Sequence, residues 1–235
     1  MIDKLKKNIF YMVRHGESIW NKENKFTGWS NIKLTEKGLN QAYSIGETIK
    51  NKNIDTSIIF SSELQRCIET SKIIRNAMNK DVTFKISWRL NEKHYGPCEG
   101  IPRSVISNIF GNIYLKKLRS GFNSVPPLIG DCSMDFKEKT PYYNNKQLEL
   151  GESNKMVLDR VKPYWNYCIN DYILQQRNPL IVTHKHCARV ILKYLSNMSD
   201  DDFFEMDIKN AKLYKITLND KLKIDDFDKD VVIIN

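Results

Sequence analysis

Short apolar or β-branched runs alternate along this 235-residue chain with longer stretches in which apolar residues recur every three or four positions. The short runs predict buried strands, and the recurring spacing predicts amphipathic helices. The predicted strands are Ile9–Val13, Ser57–Phe60, Val82–Ile86, Leu180–Thr183 and Leu213–Leu218. Because helical patterns lie between most of them, we expect an α/β fold with a single, mainly parallel sheet flanked by helices.

Four segments carry helix signals. Thr35 can cap a helix whose apolar residues follow a 3.6-residue period, and Ser62 with Gln65 has the pattern of a capping box. A long helix is predicted over 153–174, bent or restarted at Pro163, and another over 186–195. These helices supply the layers that a parallel sheet requires on its faces.

The segment from Glu92 to about Leu150 has weak periodicity and mixes glycine, proline, aromatic and charged residues. Such a segment in a compact domain is typical of an insertion that covers a binding site, and a disordered loop is the alternative for its later half. We therefore expect one domain over residues 1–235, with a substrate-covering insertion at about 92–150.

Charge, cysteines and hydropathy narrow the class of protein. The net charge of +9 suits an anionic partner, but the lysines are dispersed, so general lysine richness is an equal explanation. Five scattered cysteines without CxxC spacing predict free thiols in a reducing compartment. The N-terminal apolar run is shorter than a secretory or membrane-spanning segment, so we expect a cytoplasmic protein.

Basic side chains follow three of the predicted strands. Arg14 and His15 end the first strand, His184 ends the fourth, and Arg66 lies early in the helix after the second. Ligands of open α/β sheets bind beyond the carboxyl ends of the strands, so these groups should meet. Guanidinium groups match phosphate oxygens, a neutral imidazole can attack phosphorus, and Gly16 allows close backbone approach. The pattern predicts a phosphoryl site.

Longer motifs extend over nearly the whole chain, in one order. They are Arg14-His15-Gly16-Glu17-Ser18-x-Trp20-Asn21, Phe26-Thr27-Gly28-Trp29, Leu34-x-x-x-Gly38, Ser62-x-Leu64-x-Arg66-x-x-x-Thr70, Trp88-Arg89-Leu90-Asn91-Glu92-Lys93-His94-Tyr95-Gly96, Gly151-Glu152-Ser153, Arg160-Val161-x-Pro163-Tyr164-Trp165 and His184. With these motifs the chain resembles the cofactor-dependent phosphoglycerate mutases of the histidine phosphatase superfamily.

The resemblance implies the interconversion of 2- and 3-phosphoglycerate through a phosphohistidine at His15, primed by the cofactor 2,3-bisphosphoglycerate. Arg14, Arg66 and His184 would surround the transferred phosphoryl group, and Glu92 would be the general acid/base. These five residues form the predicted catalytic set. The predicted substrate-binding residues are Arg14, Gly16, Glu17, Ser18, Asn21, Thr27, Gly28, Arg66, Glu92, Lys93, His94, Tyr95, Arg103, Arg119, Ser120, Lys185 and His186.

The expected partners are small phosphorylated metabolites, without nucleic acid or membrane, and the resemblance implies a homodimer or homotetramer. The spacing of His184 and His186 resembles a metal pair on a strand, but no cysteine lies at ligand spacing. We therefore expect no metal.

The chain departs from the family pattern at five places. Lys185-His186 replaces Gly-Asn, Arg119-Ser120 replaces a tandem arginine, Lys93 replaces Arg, Arg103 replaces Lys, and 208–211 replaces Ile-Pro-Thr-Gly. Each change is expected to affect substrate handling and to leave the nucleophile in place. The alternatives are a phosphatase or bisphosphoglycerate synthase/phosphatase with weak mutase activity, and a non-catalytic relative that binds phosphorylated ligands or a partner.

Overall fold

The structure, a computed structural model, describes residues 7–127 and 151–234. Its strands are β1 (Asn8–Arg14), β2 (Ile58–Ser61), β3 (Thr83–Ile86), β4 (Leu180–Thr183), β5 (Leu213–Leu218) and β6 (Val231–Ile234). Its α-helices are α1 (Ile19–Lys22), α2 (Glu36–Asn51), α3 (Gln65–Met78), α4 (Arg103–Phe110), α5 (Asn112–Ser120), α6 (Asn154–Tyr164), α7 (Asn170–Leu174), α8 (Lys185–Ser196), α9 (Asp200–Glu205) and α10 (Phe227–Asp230). Short 3₁₀ turns lie at Trp88–Leu90 and Gly96–Cys98.

The six strands form one sheet in the order β3-β2-β4-β1-β5-β6. β3, β2, β4 and β1 pair in parallel, whereas β5 and β6 add two antiparallel strands at one side. The predicted mainly parallel sheet is therefore confirmed, together with all five predicted strands. β6 was not predicted, since it is only four residues long and directly follows a charged helical turn.

Two apolar layers lie on opposite faces of the sheet. Successive β1 side chains alternate between them, with Phe10 and Met12 in one cluster and Tyr11 and Val13 in the other. Residues of α6 and α8 cover the first face, and residues of α2 and α3 cover the second. Burial on both faces explains why the central strands consist of continuous apolar runs.

Three of the four predicted helices form as expected, and one begins differently. Thr35 caps α2 by accepting a hydrogen bond from the Gly38 amide, at 3.1 Å. The predicted capping box at Ser62 is wrong, because α3 begins at Gln65 behind Leu64, which has no side-chain cap. The predicted long helix is confirmed, and it passes after Pro163 into a π-helical segment, Trp165–Ile169, before α7.

The described part of the predicted insertion contains α4 and α5, which pack around a small apolar cluster of Phe26, Tyr95, Cys98, Ile106 and Leu118. Residues 128–150, in the later half of the predicted insertion, lie outside the described residues. Among the described helices, none is both long enough and apolar enough to cross a membrane.

Candidate active site

The two strand-end histidines meet, as predicted. β1 and β4 are parallel neighbours, so the residues that follow them emerge at the same edge of the sheet. The ring centroids of His15 and His184 lie 5.0 Å apart at an interplanar angle of 61°. Both rings are buried.

The His15 ring has a defined orientation. Its Nδ1 lies 2.7 Å from the carbonyl oxygen of Gly16, and its Nε2 lies 3.3 Å from Nε of Arg66, which donates. Nδ1 therefore carries the proton and Nε2 presents its lone pair. Burial, reinforced by the positive charges of Arg66 and Arg14, holds the pKa of His15 well below its usual value. The ring is neutral and can act as a nucleophile.

The protonation of His184 follows from a chain of hydrogen bonds. Asn91 donates through Nδ2 to Glu63, at 3.1 Å, so its Oδ1 faces the Ser62 hydroxyl at 2.7 Å. Ser62 donates to that oxygen and is then left to accept from His184 Nε2, at 2.9 Å. His184 therefore carries its proton on Nε2. Burial and the nearby Arg66 hold its pKa well below the usual value.

Arg66 ties His15 to the loop that contains Gly28. Its other two nitrogens donate to the carbonyl oxygens of Ser30, at 2.9 Å, and Gly28, at 2.7 Å. Gly28 has φ +49°, and a Cβ at this position would lie 1.8 Å from a Glu99 carboxylate oxygen. Glu99 accepts from the amides of Trp29 and Ser30 and thereby holds the loop. No motif in the sequence indicated this role of Glu99.

The segment 208–211 supports the end of β1. Arg14 donates to the Ile208 carbonyl at 2.9 Å, and the Ala211 amide donates to the Arg14 carbonyl at 2.9 Å. Asn210 donates through its side chain to the His15 carbonyl, at 2.8 Å. This segment was expected to affect substrate handling, and the structure places it against Arg14 and the main chain of His15.

Glu92 is oriented through one of its two carboxylate oxygens. Oε1 accepts from the amides of Lys93, at 2.9 Å, and His186, at 3.0 Å, and contacts His186 Nδ1 at 3.2 Å. Burial opposes ionisation, but the His186 ring and these hydrogen bonds outweigh it and hold the pKa of Glu92 well below its usual value. The group is a carboxylate that can take up a proton.

A buried ion pair supports Glu92 from behind. Arg160 lies 2.7 Å from the Glu152 carboxylate and donates to the carbonyl oxygens of Arg89, Asn91 and Glu92. Glu152 also accepts from the His94 amide, at 2.8 Å. Both residues belong to motifs quoted above, yet their positions in the sequence gave no indication that they support Glu92.

A small, narrow pocket opens between these groups. Its lining residues are Arg14, His15, Asn21, Phe26, Thr27, Gly28, Arg66, Glu92, Tyr95, Arg103, Arg119, Lys185 and His186. Five of them are Lys or Arg, against one carboxylate. The buried Nε atoms of Arg14 and Arg103 and the Thr27 hydroxyl have no hydrogen-bond partner in the structure. A ligand with several anionic oxygens would satisfy these groups.

Most predicted site residues line this pocket, and the others lie behind it. Gly16, Glu17, Ser18, Lys93, His94, Ser120 and His184 are not among the lining residues. The Gly16 amide donates to Thr70. A Cβ on Gly16 would lie 2.3 Å from the Gly38 carbonyl oxygen, so the glycine at this position allows the backbone around Gly16 to pack closely against the backbone of Gly38. Ser18 caps α1 in a capping box with Asn21, which itself lines the pocket.

The remaining residues behind the pocket have structural partners. Glu17 contacts Thr35 at 3.0 Å and Lys37 at 3.2 Å, at the start of α2. Lys93 is fully buried and donates to the carbonyl oxygens of Leu118 and Ser124, at 2.8 and 2.9 Å. Lys93 stands where the family pattern has arginine. Because its side chain binds the end of α5 and does not line the pocket, this replacement affects how α5 is held. Within residues 7–127 and 151–234, no group of three His, Cys, Asp or Glu is placed to hold a metal ion.

Comparison with known proteins agrees with this geometry. The family model for the histidine phosphatase superfamily (branch 1) matches residues 10–224. A 2,3-bisphosphoglycerate-dependent phosphoglycerate mutase from Parabacteroides distasonis is 35% identical over 217 residues, 91% of this chain and 88% of that protein. One of the same name from Hamiltonella defensa is 34% identical over 204 residues, 85% of this chain and 82% of that protein. The α-ribazole phosphatase from Shigella flexneri has the same fold, with a TM-score of 0.70 at 18% identity, over 97% of this chain and 96% of that chain.

Proposed function

The chain belongs to the histidine phosphatase superfamily (branch 1), and we propose that this enzyme interconverts 2-phosphoglycerate and 3-phosphoglycerate through a phosphohistidine at His15. Two relatives at about 35% identity that cover most of the chain carry the name of this activity, which supports the proposal. We place the reaction in the glycolytic and gluconeogenic conversion of small phosphorylated metabolites in the cytoplasm.

The observation that carries the proposal is the orientation of His15. Its Nδ1–H is bound to the Gly16 carbonyl, so the Nε2 lone pair is available beside Arg66. Nε2 attacks phosphorus, the bond from phosphorus to the substrate oxygen breaks, and a phosphohistidine results. The guanidinium groups of Arg14 and Arg66 stabilise the negative charge of the transferred group, and the His184 ring lies beside the nucleophile.

Glu92 moves the proton that each transfer requires. When phospho-His15 gives its phosphoryl group to a substrate hydroxyl, the hydroxyl proton passes to the Glu92 carboxylate. When the other phosphate of the resulting bisphosphoglycerate returns to His15, Glu92 gives that proton back to the leaving oxygen. The depressed pKa of Glu92 favours the carboxylate form that the first of these steps needs.

We also propose 2,3-bisphosphoglycerate as the priming donor, without a metal. The lining arginines and the unpartnered Thr27 hydroxyl would hold its phosphate and carboxylate oxygens. When bound, this compound supplies the phosphoryl group that first charges His15. We propose a homodimer or homotetramer as the assembly, which sedimentation would test.

A phosphatase or bisphosphoglycerate synthase/phosphatase with weak mutase activity is the second candidate. It is favoured by the pocket lining at Lys185 and His186, since both side chains exceed the Gly-Asn of the resemblance and can alter how the substrate is reoriented. Lys185 pairs with Asp207, so its charge is partly neutralised.

The test is turnover of 3-phosphoglycerate with trace 2,3-bisphosphoglycerate, following 2-phosphoglycerate and free phosphate together. We expect isomerisation that exceeds phosphate release and is abolished in His15→Ala. Phosphate release without isomerisation would assign the phosphatase activity instead. If the folded wild-type protein produced neither, the non-catalytic alternative would hold.

A further inference from the structure

His186 occupies an unusual position between the acid/base and the covering helices. Its Nδ1 lies 3.2 Å from Glu92 Oε1, and its Nε2 lies 2.8 Å from the main-chain oxygen of Arg119. The ring is 4% exposed and packs edge-on against Tyr95, with ring centroids 5.8 Å apart. One imidazole therefore contacts both the carboxylate that exchanges the proton and the end of α5.

The carbonyl groups of Leu118 and Arg119 lie in the last turn of α5, where a helix leaves its oxygens without partners inside the helix. Three buried basic side chains reach them. Lys93 donates to Leu118 O at 2.8 Å, while His186 and Arg189 contact Arg119 O at 2.8 and 3.5 Å. The positive charge of Arg189 also complements the helix dipole at this end. The end of α5 is therefore held from within the active site.

This attachment determines where Arg119 lies. Its carbonyl is bound by His186, while the residue itself lines the pocket among the other cations. The same His186 ring, with the His186 amide, supplies two of the three contacts to Glu92 Oε1. Oε1 is thus fully occupied, which leaves Oε2 for the substrate proton.

We propose that His186 is a positioning residue that links Glu92 to Arg119, so that the acid/base and a substrate-binding cation are oriented by one side chain. The proposal rests on the proposed phosphoryl transfer and goes beyond it in assigning this role to His186. A neutral imidazole has one N–H and cannot donate to Glu92 and Arg119 at once. With the proton on Nε2, the ring donates to Arg119 O while the His186 amide holds Glu92 Oε1. With the proton on Nδ1, the ring donates to Glu92 and the Tyr95 hydroxyl, 3.3 Å from Nε2, donates to that nitrogen.

The groups that face this pair come from several elements. They are Arg14 from β1, Arg66 from α3, Lys93 and Tyr95 from the segment after Glu92, His184 from the turn between β4 and α8, and Arg189 from α8. All of these remain when His186 is replaced. A change in pH dependence on replacing His186 alone is therefore attributable to the loss of its ring.

The kinetic test compares His186→Ala and His186→Gln with the wild type. Loss of the ring should lower kcat by about 10- to 100-fold, because Glu92 is misoriented, and raise KM, because Arg119 is released. The acidic limb of the kcat profile should move to higher pH, since the ring contributes to the low pKa of Glu92. His186→Gln should recover part of kcat. The matched control is Lys193→Met on the same helix, which removes a lysine that donates to Met198 O outside the pocket.

A second readout does not depend on turnover. The chain has four histidines, so the ring ¹⁵N signals can be assigned by single substitutions. We expect Glu92→Gln to shift the His186 ring signals, and His186→Ala to weaken the binding of inorganic phosphate more than Lys193→Met does. The proposal is overturned if the His186 ring signals do not shift in Glu92→Gln, or if His186→Ala alters kcat, KM and the pH profile no more than the control does. If the proposed function fails, the NMR experiment still tests the contact between His186 and Glu92, because it does not require turnover.

Discussion

Nε of Arg66 donates a hydrogen bond to Nε2 of His15 across 3.3 Å, although the two residues are 51 positions apart in the chain. The relationship depends on the parallel pairing of β2, β4 and β1, which brings the first turn of α3 beside the end of β1. In the proposed reaction, the same guanidinium passes from contact with the free nucleophile to contact with the phosphoryl group. It therefore orients the ring and stabilises charge.

Arg66→Lys should lower turnover by about 100-fold or more, because an ammonium group cannot donate to His15, Ser30 and Gly28 in the planar geometry of the guanidinium group. The measurement is kcat for phosphoryl transfer at saturating substrate. Arg75→Lys is the control, since Arg75 lies on the same helix and pairs at the surface with Asp81. Equal effects of the two substitutions would contradict the assigned role.

Ser62→Ala should lower kcat by about tenfold, because His184 loses the oxygen that accepts from its Nε2–H. Without that acceptor the ring is free to take the other tautomer. Ser71→Ala is the control, because its hydroxyl is also buried but donates to Ser61. We expect Ser71→Ala to alter stability and to leave kcat near the wild-type value. If both variants retained full turnover, the Ser62 hydrogen bond would not set the tautomer.

Glu152→Gln and Arg160→Gln should each destabilise the fold by about 3–5 kcal/mol, since each leaves the other charge buried without its ionic partner. The double variant should lose less stability than the sum of the two single losses, because the residues are in contact. The measurement is the free energy of unfolding in urea. Lys155→Gln provides the comparison, since its ion pair with Asp159 on the same helix is exposed and should contribute at most about 0.5 kcal/mol. Additive losses in the double variant would argue against a coupled pair.

The sheet and the meeting of the two histidines were predictable from the sequence, because apolar runs identify central strands and parallel topology brings their carboxyl ends together. Ser62 shows where local pattern fails. Its spacing from Gln65 suited a helix cap, but its hydroxyl lies between Asn91 and His184, which come from distant parts of the chain. A partner of this kind has no signature in local spacing.

The residues that hold the site in place from outside the motifs could not be predicted from the sequence, for a similar reason. Asn210 binds the carbonyl of His15 across 195 positions, and Glu99 binds the amide of Trp29 across 70. Both contacts involve main-chain atoms, which every residue has, so residue type gives no indication of the partner. The residues that perform the chemistry carry a recognisable pattern, whereas the residues that hold them do not.

Lys93 predicts a specific pH dependence of stability. Burial lowers the pKa of its ammonium from 10.5 to about 7. Between these values the unfolded chain binds a proton that the folded chain releases, so the free energy of unfolding should increase with pH. From pH 7 to pH 9 the free energy of unfolding of the wild type should increase by about 2 kcal/mol relative to that of Lys93→Met, as measured by urea unfolding at both pH values. Below pH 7 both states are protonated and the difference becomes constant.

Lys93→Arg separates this effect from the loss of hydrogen bonds. Lys93→Met leaves the carbonyls of Leu118 and Ser124 without their donor, so it should be less stable than the wild type at pH 9, where the buried amine is neutral and still donates. Arginine can still donate but stays protonated throughout this range, so Lys93→Arg should lack the increase between pH 7 and pH 9. An equal slope in all three proteins would show that Lys93 keeps its proton when folded, in which case its charge must be stabilised by the carbonyls of α5 and by Glu92 and Glu152 nearby.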